Sequence, residues 1–224
     1  MFEEIVPSER SSNLRKNGTK TLKITIDTTN LNDLFLINHS QFLTQDLKSS
    51  DFIIKPNNYY MIINNKNKKI KLKYSEDVAN HEIIYNPYKY EFSNKEVFNP
   101  EIFKKDQSVP EGYIDVLTKW YSIKFTYPKY NLIFIKPEMG LSIQIHFHRS
   151  EQWKVLAGNP IIINGKNMYY YVDIGQTFIN DIEMYHSIIN PNTDPNAYVI
   201  VREEWKGKFD ENDINRIFNP NHYS

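Results

Sequence analysis

The stretch Gly140–Trp153 reads GLSIQIHFHRSEQW. Split by parity, Leu141, Ile143, Ile145 and Phe147 fall on one side, and Ser142, Gln144, His146 and His148 fall on the other. Alternate side chains of a strand point to opposite faces, so two imidazoles and an amide would line one face above an apolar one. Glu151 lies an odd number of residues from both histidines, and a turn or bulge at Arg149–Ser150 would bring it back to their side. Further on, His186 opens another β-like run in EMYHSIIN. Two or three neutral imidazoles with one carboxylate suit Zn, Mn, Fe, Co or Ni and leave positions for water or substrate. The bland alternative is a polar face that simply meets water.

The flanks read as β structure. From Tyr113 onward, YIDVL, YSIKFTY, NLIFIKP, LSIQIHF, WKVLAG, PIIIN, MYYYVD, TFIN, SIIN and AYVIVREEW follow one another, separated by turn signals such as PEMG, AGNP and NPNTDPN. Many short strands with regular punctuation predict a sandwich or barrel. Only the end, DENDINRIF, has a helical look, with Asp210 as N-cap. Upstream, residues 1–20 read as a polar arm and TLKITID as a strand. NLNDLFLINHSQFLTQDL fits a short helix or two loosely joined pieces, and NNKNKK a hairpin turn. Residues 76–110 read as irregular, which puts a domain boundary near 107–110: a β-rich extension over 1–109 and a second domain over 110–224.

Composition narrows the partners. The 224 residues are 40% hydrophobic and 14% aromatic, enough for a substantial core. The 27 basic and 27 acidic residues cancel, which argues against nucleic acid or an anionic membrane as the main partner. Without cysteine there is neither a disulfide nor a thiolate metal site. No apolar run approaches the roughly 20 residues of a membrane span, and MFEEIVPSER lacks a signal-peptide core. The expectation is a soluble, cytoplasmic protein.

The spacing resembles the cupin signature, G(X)5HXH(X)3–4E(X)6G followed by G(X)5PXG(X)2H(X)3N. Gly140, His146, His148, Glu151 and Gly158 follow the first motif; Gly175, His186 and Asn190 follow the second. An alternative register reads Gln144-x-His146, so His148 and Gln144 compete for the fourth ligand position beside His146, Glu151 and His186; imidazole, the better ligand, favours His148. The block LSIQIHFHRSEQWKVLAG is similar to the LSLQxHHHRSEHWxVxxG block of type II mannose-6-phosphate isomerases, the domain often fused to mannose-1-phosphate guanylyltransferases. PEGYIDVL, FIKPEMGLSIQ and GKFDENDINRIFN resemble further blocks of that family in the same order. The likeness runs from about Pro110 to Tyr223. Gln152 stands where the family has histidine, Asp181 and Glu183 where the second motif has proline and glycine, and NPNHYS where the family ends in YGR. Residues 1–109 carry no Gly-rich nucleotide-binding start followed by a parallel α/β pattern.

The resemblance implies an all-β cupin double-stranded β-helix, a jelly-roll barrel, with a β-rich N-terminal extension and a short C-terminal helix. It implies a divalent metal, zinc first, and a small sugar phosphate as substrate, with aldose–ketose exchange through a cis-enediol. Arg149 and Arg216 match arginines of the family blocks and suit phosphate, since guanidinium forks match its oxygens. Gln144 joins them as a substrate-binding candidate. The base is open: Glu183, Glu203, Glu204, or His148 if Gln144 takes the metal position. Cupins often pair through an exposed sheet, so the apolar face of Leu141, Ile143, Ile145 and Phe147 has three candidate covers: the second sheet of the barrel, the N-terminal segment, or a second copy in a homodimer. Two other readings compete, a non-catalytic carbohydrate- or nucleotide-sugar-binding cupin and an iron-dependent cupin oxygenase.

Overall fold

The computed structural model describes residues 2–44, 47–208 and 213–223. The chain divides into two compact units, residues 1–87 with 166–168, and residues 88–165 with 169–224. Among the described residues the ladders are antiparallel, one short helix is present, and no helix is long and apolar enough to cross a membrane.

The first unit stacks two sheets. One is ordered Phe2–Val6, Ile70–Tyr74, Leu22–Ile26, Asp51–Ile54; the other runs Glu82–Tyr85, Leu14–Lys16, Tyr59–Asn64, Leu34–Asn38, Gln41–Leu43. The alternation of TLKITID is real: Leu22, Ile24 and Ile26 are buried and Lys23 is exposed. Two expectations need correction. The segment read as a helix or loose pieces is a β-hairpin, Leu34–Asn38 against Gln41–Leu43, turning at His39 with φ +52°. Leu34, Phe35, Leu36 and Ile37 are all buried, so the segment carries no period that marks it as a strand. The NNKNKK segment is not a hairpin turn either, because Tyr59–Asn64 and Ile70–Tyr74 lie in different sheets. Buried Asn64 holds that passage, donating its amide to the carbonyls of Val6, Pro7 and Lys68.

The second unit is the expected jelly roll. Its larger sheet is ordered Asp115–Thr118, Ser122–Thr126, Asn131–Ile135, Val199–Gly207, Arg149–Ala157, Thr177–Asn180. Its smaller sheet is ordered Ile161–Asn164, His186–Ile189, Ile143–Ile145, Asn215–Phe218. Ile133, Ile135, Trp153, Val155, Val199 and Val201 pack between the sheets against Ile162 and Ile188. The opposite face of the larger sheet is covered too: Ile123, Phe125, Leu132 and Phe134 pack on Phe103. Phe103 belongs to the helix Pro100–Asp106, inside the stretch expected to be irregular. Its start is marked locally, since the Asn99 side chain accepts from the N–H groups of Glu101 and Ile102 and Pro100 fills the first helical turn. The helix expected over DENDINRIF is not observed: Asn215–Phe218 is an edge strand beside Ile143–Ile145, and the Asp210 cap lies outside the described residues. Ile217 and Phe218 gain burial by that pairing, which outweighs local helix preference.

Gly158 follows the Arg149–Ala157 strand at φ +74°, and a Cβ there would lie 2.9 Å from both the Tyr198 carbonyl oxygen and Val199 Cγ2. Gly175, at φ +93°, has open space around it. Gly158→Ala should therefore cost on the order of 2–3 kcal/mol and Gly175→Ala only about 1 kcal/mol. Urea unfolding midpoints of the two variants check the order.

Candidate metal centre and its cavity

The quoted stretch does not form one continuous strand. Ile143–Ile145 belongs to the smaller sheet and Arg149–Ala157 to the larger, and residues 146–148 carry the chain between them. Asp213 fixes the passage: its carboxylate accepts the Phe147 N–H and the His148 N–H, each at 3.0 Å, and its carbonyl accepts from His146 Nδ1. Strand parity therefore fails at the passage. His146 is buried, while Phe147 and His148 are exposed. Beyond it the alternation resumes, with Arg149, Glu151, Trp153 and Val155 buried and Gln152 and Lys154 exposed. The simple parity in which His148 shares the face of His146 is thus broken by the backbone turn.

His146, Glu151 and His186 converge, with one potential ligand atom from each lying within 4.8 Å of the others. His146 Nε2 is 3.0 Å from Glu151 Oε1, and His186 Nε2 is 3.7 Å from Glu151 Oε2. A carbonyl can only accept, so each Nδ1 carries its ring's proton: His146 donates to Asp213 O, and His186 donates to Met184 O at 2.8 Å. In the neutral rings both Nε2 atoms then present lone pairs toward the Glu151 carboxylate, with Arg149 Nη2 also 3.2 Å from that of His146. Glu151 Oε2 is buried and has no hydrogen-bond partner among the described residues. Arg149 contacts Glu151 Oε1 and His146 Nε2, and Glu151 Oε2 faces His186 Nε2 with no hydrogen bond, a donor set that a cation would satisfy. Two ligand atoms about 2 Å from a tetrahedral ion lie roughly 3.3 Å apart, and the observed spacings bracket that value. The residues fit a divalent metal.

The electrostatics agree. Burial pushes the Glu151 carboxyl up, but the neighbouring His146, His186 and Arg149 outweigh it and hold the group well below the usual carboxylate range. Burial lowers His186 to about 4, which keeps the ring neutral and ready to ligate.

Arg149 is buried and occupied. Its Nε donates to Glu151 Oε1 at 2.9 Å, its Nη2 lies 3.2 Å from His146 Nε2, and its Nη1 lies 3.7 Å from Asp213 Oδ2. This guanidinium is held by Glu151, His146 and Asp213, and it also lines the cavity described below. His148 does not join the cluster, because the turn at 146–148 aims its ring outward. Gln144 does stand beside it: its Nε2 is 3.5 Å from His186 Nε2, and its Oε1 accepts from Ser142 Oγ. Rotating that amide would aim its oxygen at the same point. Glu183 is exposed, at φ +60°, and donates its N–H to the His146 carbonyl. It supplies the bend where the cupin motif has glycine and lies outside the cavity wall. Gln152, the other departure, is on the outer face. Asn190 is buried and donates to the carbonyls of Ile135 and Ala197, which pins the strand end that follows His186.

A cavity of about 120 Å³ opens beside the cluster, lined by Glu151, Gln144, Trp153 and Glu203, with Lys119, Lys124 and Arg216 among its walls. Arg216 reaches it by register: Gln144 pairs with both His186 and Arg216, so the three share a sheet face. Lys119 and Lys124 were missed in the sequence. The signal was present for Lys124, which alternates with Ile123 and Phe125, but the polar face looked like the solvent side. Glu203 and Glu204 separate as parity predicts: Glu203 is buried, while Glu204 is half exposed and pairs with Arg202. Glu203 is raised to about 7 by burial and by the charge of Glu151.

Residues 110–219 match the family described as mannose-6-phosphate isomerase C-terminal. Among curated proteins, the mannose-1-phosphate guanylyltransferase of Klebsiella pneumoniae is 37% identical over 94 residues, 40% of this chain and 19% of that protein. The alginate biosynthesis protein AlgA of Pseudomonas putida is 31% identical over 85 residues, 38% of this chain and 17% of its own length. This chain thus spans less than a fifth of these relatives. Among solved structures, a sugar phosphate isomerase of the cupin superfamily from Silicibacter pomeroyi aligns at 12% identity with a TM-score of 0.34, covering 39% of this chain and 60% of that one.

The shifts of His186 and Glu203 run in opposite directions. His186 has a depressed folded value, so its stabilising contribution is present above about 6.5 and lost as pH falls through about 4. Glu203 has a raised value, so its contribution is present below 4.5 and lost as pH rises through about 7. In metal-free protein, the stability of His186→Gln relative to the parent should rise as pH falls across the first window. That of Glu203→Gln should rise as pH climbs across the second. Each change should be roughly 3 kcal/mol, read by urea unfolding between pH 4 and 7.5.

Proposed function

We propose, from the match of residues 110–219 to the family described as mannose-6-phosphate isomerase C-terminal, that the chain is a metal-dependent isomerase interconverting mannose 6-phosphate and fructose 6-phosphate. The observation that carries this reading is the convergence of two imidazole Nε2 lone pairs and an unsatisfied carboxylate oxygen beside a cavity whose lining includes the cations Lys119, Lys124, Arg149 and Arg216. A divalent ion held by His146, Glu151 and His186, for which we propose zinc, would supply a Lewis acid that stabilises the oxyanion developing during isomerisation.

The chain's own residues supply the rest. Asp213 and the Met184 carbonyl hold both imidazoles in the ligating tautomer. Arg149 holds Glu151 in place. Gln144 and Ser142, linked to each other, offer amide and hydroxyl groups to the sugar. Lys124 and Arg216 are the phosphate partners in this reading, because Arg149 is engaged by Glu151 and Asp213. Trp153, Leu141 and Ile133 give the cavity apolar walls that exclude water.

One observation favours a second reading, a sugar-binding cupin without turnover: the Arg149 guanidinium already offers donors to both Glu151 Oε1 and His146 Nε2. Exchange at C2 of mannose 6-phosphate in deuterated water separates the two, since binding alone moves no carbon-bound proton. Purified protein loaded with zinc, manganese, iron or cobalt should show that exchange, and a chelator should abolish it. His146→Ala and His186→Ala should lose bound metal and turnover together. Absence of exchange with every ion would leave the binding reading. Lys124→Ala and Arg216→Ala should each raise KM for the sugar phosphate about tenfold, with metal content unchanged.

A further inference from the structure

The isomerisation proposed above needs a group that takes a proton from one carbon and returns it to its neighbour, and the triad cannot provide it. Both imidazole Nε2 atoms and the Glu151 carboxylate face the cation position. Glu183 and Glu204 are not among the residues lining the cavity, and His148 points outward. Among the described residues lining the cavity, the only carboxylates are Glu151 and Glu203.

Glu203 is placed by strand register. It pairs with Trp153, while Glu151 pairs with Trp205. The two carboxylates therefore sit diagonally on the same face of one sheet, a separation that long side chains span. On its other side Glu203 pairs with Asn131. These two neighbours hold its carboxylate: Asn131 Nδ2 donates to Oε1 at 2.7 Å, and Trp153 Nε1 donates to Oε2 at 3.1 Å. Asn131, Trp153 and Glu203 are all buried, so the carboxylate has one fixed orientation. Each oxygen still has a second lone pair. No salt bridge to Glu203 occurs among the described residues; Lys124 acts on it as a nearby charge, as does Glu151. The two donors fall on separate oxygens, which a carboxylate accepts and an amide, with one oxygen and one NH2, would not. Standing at the wall of a polar cavity, with each oxygen keeping a free lone pair, the Glu203 carboxylate is placed to exchange a proton there. Two carboxyls whose surroundings drive them apart, one held ionised and one held easier to protonate, divide the labour of ligand and proton carrier.

We propose that Glu203 is the catalytic residue that carries the proton between C2 and C1 of the open-chain sugar phosphate. The Glu203 carboxylate takes the proton from C2, and the C2–H electron pair forms the C1–C2 double bond as the C1 carbonyl becomes an oxyanion. A proton passes from O2 to O1. Glu203 then returns its proton to C1 as the carbonyl forms at C2. No other reactant is consumed, and the carboxylate is regenerated. The role rests on the isomerase reading, and the experiment below keeps the two apart.

The test compares metal-loaded parent, Glu203→Gln, Glu203→Asp and Glu204→Gln for C2 exchange in deuterated water, bound metal and fructose 6-phosphate affinity. Glu203→Gln, which keeps an acceptor for only one of the two donors, should still retain metal and bind fructose 6-phosphate within about threefold of the parent, and lose exchange by at least ~100-fold. Glu203→Asp, with its carboxylate drawn back by one methylene, should fall by roughly 10- to 100-fold. Glu204→Gln, at the outer face, should match the parent. Exchange at the parental rate in Glu203→Gln overturns the assignment. So does a loss of exchange matched by an equal loss of metal or sugar-phosphate binding, which would make the role structural. If Glu203→Gln does not fold, Glu203→Asp decides, and parental exchange there overturns the proposal. Absence of exchange in the parent removes the isomerase reading itself, and this role with it.

Discussion

The site depends on how one aspartate ends one strand and starts another. Asp213 accepts two consecutive backbone N–H groups, from Phe147 and His148, and takes the imidazole proton of His146 on its carbonyl. The first two bonds turn the chain from the smaller sheet to the larger. The third fixes the tautomer of a ligand. Gly207 lies tight against the same turn, where a Cβ would come within 2.5 Å of the His148 carbonyl oxygen. Backbone direction and ligand chemistry are therefore set by one small group of atoms. Without that turn, His146 and Glu151 would lie on opposite faces of one strand.

The rest of the centre follows from two facing sheets. The smaller contributes His186 in a row with Gln144 and Arg216, and the larger contributes Glu151 with Trp153 and Glu203. Trp153 joins the layers: its ring meets His186 edge-on at 5.1 Å, and its N–H serves Glu203. The Pro100–Asp106 helix covers the outer side of the larger sheet through Phe103. Burial on both sides explains why Asn131–Ile135 is buried throughout. A strand held on both faces is a firm base for Glu203, which its neighbour Asn131 grips.

Several family departures have physical explanations. Gln152 faces away from the cavity, so the lost histidine removes nothing from it. Glu183 adopts the left-handed backbone that glycine would take more cheaply, and its N–H secures the His146 carbonyl in return. The arginine most suggestive of phosphate, Arg149, is enclosed by Glu151, His146 and Asp213 and serves the ligands instead.

The sequence by itself determined a β sandwich or barrel from its short alternating runs, and its resemblance to the cupin motifs pointed to the jelly roll and to three candidate ligands, because runs and motif spacing are local features that a linear reading preserves. His146, Glu151 and His186 were legible in either cupin register. Parity within an unbroken strand also separates Glu203 from Glu204, but which of the two faces inward was left to the packing. The sequence misplaced His148 because parity does not survive a change of sheet. It missed the helix at Pro100–Asp106 and read Asn215–Phe218 as helical, because a cap is easily overlooked and edge pairing can override local preference. Which polar side chains meet the cavity and which meet water was decided only by the packing of two sheets. Alternation separates the faces of a strand, but only the opposing layer determines which face is enclosed.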